Sequence, residues 1–148
     1  PQVADVAITR RFPGTLVVTI KENMPVALVP RGDGLQPYDS SGRALPIDPS
    51  RANLDLPVLT VPDRAALRLI GELRATDPKV FDLISEVAPD GHDLVFTLNS
   101  SLRVRASAGV APQRFRDIFP VESDLARRNE RAAELDIRYR DQVVARLE

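Results

Sequence analysis

The chain has 148 residues, 43% of them hydrophobic, and its 20 basic and 21 acidic residues leave a formal net charge of −1. That is apolar enough to bury a core and excludes a disordered chain, while the near-neutral balance gives no electrostatic footprint for nucleic acid or an anionic membrane. The absence of cysteine removes disulfides, thiolate metal sites and cysteine nucleophiles.

No apolar run approaches the ~18 residues that a membrane helix needs. Thirteen prolines against seven glycines cut the chain into short elements, which suits a β-rich fold. Pro1 and Gln2 read as interior sequence, so the chain is expected to begin inside a domain.

Val3, Val6 and Ile8 lead to Phe12-Pro13-Gly14-Thr15, where Pro13-Gly14 predicts a turn with Gly14 at positive φ. From Thr15 to Glu22, Leu16, Val18 and Ile20 alternate with Val17, Thr19 and Lys21, which completes a β-hairpin. One hairpin is marginal alone, so it must lean on the rest of the chain or on residues before Pro1. Met24 to Gly32 predicts a short strand with Pro25 and Pro30 near its ends. Two short strands around an Asp39–Gly42 loop follow, then a connection from Asp48 to Pro62. Asp63 caps a helix to about Ala75 that buries Ala66, Leu67, Leu69, Ile70 and Leu73. Thr76 is expected to cap a shorter helix, with Asp77 and Pro78 in its first turn and Val80, Phe81 and Ile84 buried.

Ile84 to Ser107 predicts three strands with turns at Asp90-Gly91 and Asn99-Ser100-Ser101. Pro112 to about Arg131 has helical spacing, with a bend near Phe119 because Pro120 interrupts it. The chain closes on a hairpin. Leu135, Ile137 and Tyr139 fall on one face, Asp136, Arg138 and Arg140 on the other, and Val143, Ala145 and Leu147 alternate in its second strand. Strands joined by tight turns imply an α+β domain, a mostly antiparallel sheet with helices packed against it.

Candidate chemistry is sparse. His92 is the only histidine and stands in a turn, which reads as solvated. Ser/His/Asp catalysis would have to use it, and no Gly-x-Ser-x-Gly elbow is present. A hydrolase built on Asp90, His92 and Asp93 would need a deep pocket around His92. The acidic pairs Asp90/Asp93 and Glu134/Asp136 do acid–base work only where a pocket splits their pKa values. Arg31-Gly32-Asp33 reads as a plain loop, with no helix after its glycines to cradle phosphate. Arg127, Arg128 and Arg131 read as a solvated helix end, with a partner patch as the alternative. No metal, cofactor or small-molecule site emerges.

Three stretches in order carry a resemblance. Val3, Ile8, Arg10, Phe12, Pro13, Thr15, Leu16, Glu22, Pro25 and Ala27 form the first; Asp39 and Gly42 the second; Asp136, Arg138 and Tyr139 the third. Together they resemble the extracytoplasmic part of the FtsQ/DivIB family of bacterial cell-division proteins. Departures are Leu147 near a position where some members carry Trp, no turn glycine in Arg140-Asp141-Gln142, and a region from Asp48 to Ala88 similar only in its helix pattern. The resemblance implies a bitopic protein of the bacterial inner membrane at the division site, with this domain extracytoplasmic and its membrane helix absent from this chain. Residues 1–24 would be the last hairpin of a POTRA domain and residues 25–148 the family's β domain. It implies no enzymatic activity, but a divisome scaffold that binds FtsB/DivIC-like and FtsL-like partners during septum formation.

The resemblance also implies β-augmentation, in which a partner strand adds to the last strand of the domain. By position, Arg138 and Tyr139 would be contact residues and Val143, Val144, Ala145 and Arg146 would offer the edge backbone. Alternation turns Tyr139 inward beside Leu135 and Ile137, the resemblance turns it toward the partner, and both orientations stay open. A POTRA-associated module of an outer-membrane assembly or secretion system is the alternative reading.

Overall fold

A computed structural model describes residues 3–148, so Pro1 and Gln2 lie outside it. The first two strands, β1 (Val3–Arg11) and β2 (Thr15–Glu22), form a two-stranded antiparallel sheet of their own. Their register sets Val6 opposite Ile20, Ile8 opposite Val18 and Arg10 opposite Leu16, which gathers the apolar side chains on one face. That face is exposed. The turn lies at Phe12–Gly14, as the sequence predicts, but Gly14 is not left-handed. The Phe12–Pro13 peptide is cis.

The remaining strands make one sheet. They are β3 (Pro25–Arg31), β4 (Gly34–Asp39), β5 (Val58–Leu59), β6 (Ile84–Asp90), β7 (Asp93–Leu98), β8 (Arg103–Ser107), β9 (Ala132–Asp136) and β10 (Val144–Leu147), and they lie in the order β10-β9-β8-β7-β6-β5-β3-β4. Tight turns link the antiparallel pairs β3/β4, β6/β7 and β7/β8. β3/β5, β5/β6 and β8/β9 are parallel, each joined through a longer connection that carries helix. The fold is α+β, and its sheet is mixed rather than purely antiparallel.

The stretch predicted as a connection holds β5 and a one-turn helix, α1 (Pro49–Ala52), capped by Asp48. Only Val58 and Leu59 of the four residues between Pro57 and Pro62 are strand, too few to show alternation; β5 pairs because a slot lies open between β3 and β6. Helix α2 (Arg64–Thr76) starts where Asp63 accepts the Ala66 N–H at 2.7 Å, and it buries the five predicted apolar residues. The cap of α3 (Pro78–Phe81) is Asp77, not Thr76. Pro78 pushes its predecessor out of the helical region, so Asp77 sits at φ −146 and ψ 75 and accepts the Val80 N–H. The Thr76 hydroxyl instead donates back to the Glu72 carbonyl. A 3-10 helix (Pro112–Asp117) runs into α4 (Ile118–Arg127). The bend therefore falls just before Phe119, and Pro120 lies in the first turn of α4, where no donor is required.

The core lies between the sheet and α2 with the 3-10 helix. Phe115 is fully buried and meets Phe96 of β7 edge-on, with ring centroids 4.8 Å apart and planes at 78°. Ile118 follows it inward. The loop after β4 closes on the other flank. Asp39 is buried and accepts the Ser41 N–H at 2.9 Å, the Ser41 hydroxyl at 2.6 Å and the Arg43 N–H at 3.0 Å. Burial pushes its carboxyl up, and the hydrogen bonds from Ser41 and Arg43 outweigh that, so its pKa lies below the usual aspartate value. Gly71 of α2 packs so close to this loop that a Cβ there would overlap the Cβ of Ser40.

Two outcomes follow from this packing. Gly71→Ala improves helix propensity by about 1 kcal/mol, yet overpacking costs about 1–3 kcal/mol. Urea unfolding should therefore show net destabilisation, relieved by adding Ser40→Gly. Asp39 binds its proton more weakly when folded, so it contributes stability above its unfolded pKa of 3.8 and loses it as pH falls below that value. Asp39→Asn should flatten the acid limb of a stability-versus-pH curve; an unchanged limb would refute the assignment.

Candidate partner interface

The sheet has two edges, and the chain treats them differently. Beside β4, the Arg43–Leu45 segment folds back along the strand. The Asp39 N–H donates to the Arg43 carbonyl at 3.0 Å, the Leu45 N–H to the Pro37 carbonyl at 2.8 Å, and Tyr38 forms a bridge with Ala44. At the other edge, β10 pairs antiparallel with β9. Among the described residues no strand lies on its outer side.

The hydrogen bonds fix which way β10 faces. The Ile137 N–H donates to the Arg105 carbonyl of β8 at 2.9 Å. Backbone groups alternate along a strand, so Leu135 also points at β8, whereas Glu134 and Asp136 point at β10. Their partners Arg146 and Val144 therefore face β9, and the N–H and C=O of Ala145 face outward. A bulge at Arg146/Leu147 follows, after which the Glu148 N–H donates to the Arg131 carbonyl at 3.1 Å. The side chains divide in the complementary sense. Val143 and Ala145 pack against the core, while Val144 and Leu147 are each 47% exposed.

Leu135 and Ile137 are buried, but Tyr139 is 47% exposed. β9 ends at Asp136 and the chain then turns, so the alternation that would carry Tyr139 inward has stopped. Arg138 is engaged within the domain. Its guanidinium donates to Asp136 at 2.5–3.0 Å and to Asp93 of β7 at 2.6 Å, and it lies 6.0 Å from the centre of the Tyr139 ring. Those carboxylates hold Arg138 firmly in its charged form, and Arg138 in turn depresses the Asp136 pKa. Alongside, Arg105 reaches Asp90 at 2.6 Å and Glu134 at 3.4 Å, and Arg103 reaches Glu134 at 3.4 Å. Charged side chains thus tie β6 to β9 across one face of the sheet.

This wiring bears on the other candidates. Asp90 and Asp93 are ion-paired to Arg105 and Arg138, and His92 is exposed in the turn between them. Glu134 and Asp136 serve the same arginines. No group of three or more His, Asp and Glu among the described residues has the geometry to hold a metal ion. Arg128 pairs with Asp124 at 2.6 Å, and Arg127 reaches Ser123 at 3.4 Å, the contacts of a solvated helix end.

Sequence reasoning missed Arg114. From the 3-10 helix it donates to the Tyr139 carbonyl at 2.7 Å and the Gln142 carbonyl at 3.2 Å, and it pairs with Asp117. The only local signal was the i,i+3 pair with Asp117; a bond to backbone 25 residues away leaves no trace in a pattern.

Comparisons with known proteins agree with this architecture. The family described as "Cell division protein FtsQ/DivIB, C-terminal" matches residues 27–141, from β3 through the turn after β9, and stops short of β10. The chain is similar to the solved major extracytoplasmic domain of the cell-division protein DivIB from Geobacillus stearothermophilus. Identity is 22% and the TM-score 0.51, over 72% of this chain and 97% of that one, a likeness of fold. No individual curated protein matches. Among the described residues no helix is long and apolar enough to cross a membrane. With the family match extending over most of its length, the chain belongs to the FtsQ/DivIB family of cell-division proteins through that family's C-terminal domain.

Proposed function

We propose that this domain is a non-enzymatic scaffold of the division machinery that captures an extended segment of an FtsB/DivIC–FtsL-type partner as an added strand beside β10. The observation that carries the reading is the contrast between the edges: the chain covers β4 itself and leaves the outward groups of β10 unpaired. Main-chain bonds to Ala145 supply affinity, and alternate side chains supply selectivity. Tyr139 offers a large ring with a polar tip beside that edge, a favourable anchor for a desolvated contact. Arg140, Asp141 and Arg146 are exposed charges that discourage indiscriminate strand pairing. The family match favours this reading over an outer-membrane assembly module.

On the same reading, residues 1–24 are the last hairpin of a POTRA domain and residues 25–148 the β domain. β1 and β2 form a separate sheet whose apolar face is unpacked, and the family match begins at residue 27. The extracytoplasmic origin of the DivIB domain supports the same location for this one, with the full-length protein held by a membrane helix at the division site.

Binding to the extracytoplasmic segment of the FtsB/DivIC-type protein from the same cells tests the reading. Ala145→Pro removes the outward donor while leaving the bonds to β9, so affinity should fall at least about tenfold with the fold intact by circular dichroism. Unchanged affinity in that folded variant refutes strand addition. Tyr139→Ala should weaken the same interaction by about tenfold or more through slower capture or faster release, with thermal stability unchanged because the ring is not part of the core.

A further inference from the structure

The connection from Arg138 to Val143 contains neither helix nor strand, and Tyr139–Asp141 form its turn. None of Tyr139 to Gln142 is glycine, and none adopts a positive φ. Special turn residues therefore do not fix this reversal. A guanidinium does: one nitrogen of Arg114 donates both to the Tyr139 carbonyl at 2.7 Å and to the Gln142 carbonyl at 3.2 Å, bridging the two ends of the turn. Asp117 holds the other nitrogen and aims the group.

The base of this reach is rigid. Phe115 and Ile118 are fully buried, and Arg116 donates to Asp77 at 2.5 Å on the far side of the same short helix. Arg114 thus connects the packed centre of the domain to the Gln142 carbonyl, two residues before β10 begins at Val144. That strand has four residues and pairs on one side only, a setting in which local opening costs little.

We propose that Arg114 is the positioning residue of the partner edge: it closes the β9–β10 turn from outside and holds β10 in register before a partner strand arrives. The inference rests on the edge-strand reading. Its energetic content is preorganisation, because apparent affinity falls in proportion to the fraction of molecules whose edge is already set. Lysine cannot replace the function fully, since its single ammonium lacks the second nitrogen by which Asp117 aims the group while the first bridges both carbonyls.

Hydrogen exchange and partner binding on the whole 148-residue chain separate the possibilities. In Arg114→Ala, the amides of Val144, Arg146 and Glu148 should exchange at least about tenfold faster, while those of Leu94–Leu98 in β7 stay protected. The dissociation constant for the extracytoplasmic segment of the FtsB/DivIC-type protein should rise at least about fivefold. Arg114→Lys should give an intermediate value for both. Asp117→Asn, which leaves the guanidinium in place but unaimed, should show the same effects more weakly and serves if Arg114→Ala fails to fold. Unchanged β10 exchange in Arg114→Ala, or faster exchange with no loss of affinity while Ala145→Pro still abolishes binding, overturns the inference. If Ala145→Pro leaves binding intact, the edge-strand reading has failed, and the exchange data still decide whether Arg114 positions β10.

Discussion

The seating of Phe115 on Phe96 governs the C-terminal half of the domain. The chain leaves β8 at the top of the sheet and must return to lie parallel to it as β9, which a tight turn cannot achieve. The return is made by the 3-10 helix and α4, and it is fixed where the Phe115 ring meets the edge of Phe96 inside the core. Burial of Phe115 and Ile118 ties down a segment too short and irregular to be stable alone. Every later element inherits its position from that contact: β9 lies beside β8 because the crossover ends there, and β10 lies beside β9.

The charged face of the sheet has a different role. Most of its ion pairs involve at least one partly exposed group, and exposed pairs are worth only about 0–1 kcal/mol each. Their geometry is nevertheless specific. Arg138 joins β9 to β7, and Arg105 joins β8 to β6 and β9, so a one-residue slip of β9 would separate several pairs and carry Leu135 to the solvent side. Glu134 is buried at 7% exposure, and its two arginines compensate for the lost water. The network acts chiefly on register.

Much of this was legible in the sequence. Alternation located β6, β7, β8 and the closing strands, and capping chemistry located α2, because each signal is carried by neighbours in sequence. The misses have physical causes. β5 is two residues long, shorter than any period that alternation could reveal. Asp77 displaced Thr76 as a cap because the constraint imposed by Pro78 outweighs hydroxyl preference. At the candidate site, the last strand and Tyr139 were found, but Tyr139 remained ambiguous until the end of β9 was known. Arg114 was invisible, since the carbonyls it binds belong to a turn that meets it only in three dimensions.

The shortness of β5 has a mechanical meaning. It is the sole link in the ladder between the β3/β4 pair and the five strands from β6 to β10. One registered pair, Leu28 with Val58, joins it to β3, and two pairs join it to β6. A tension applied between the hairpin end of the chain and a strand held at β10 would run through this seam, where the fewest backbone bonds resist it. Across the seam lies α2, whose buried side chains pack on β3, β4 and the 3-10 helix. A pull would therefore load the β5 seam and the core packed over it, where α2 crosses from one side to the other.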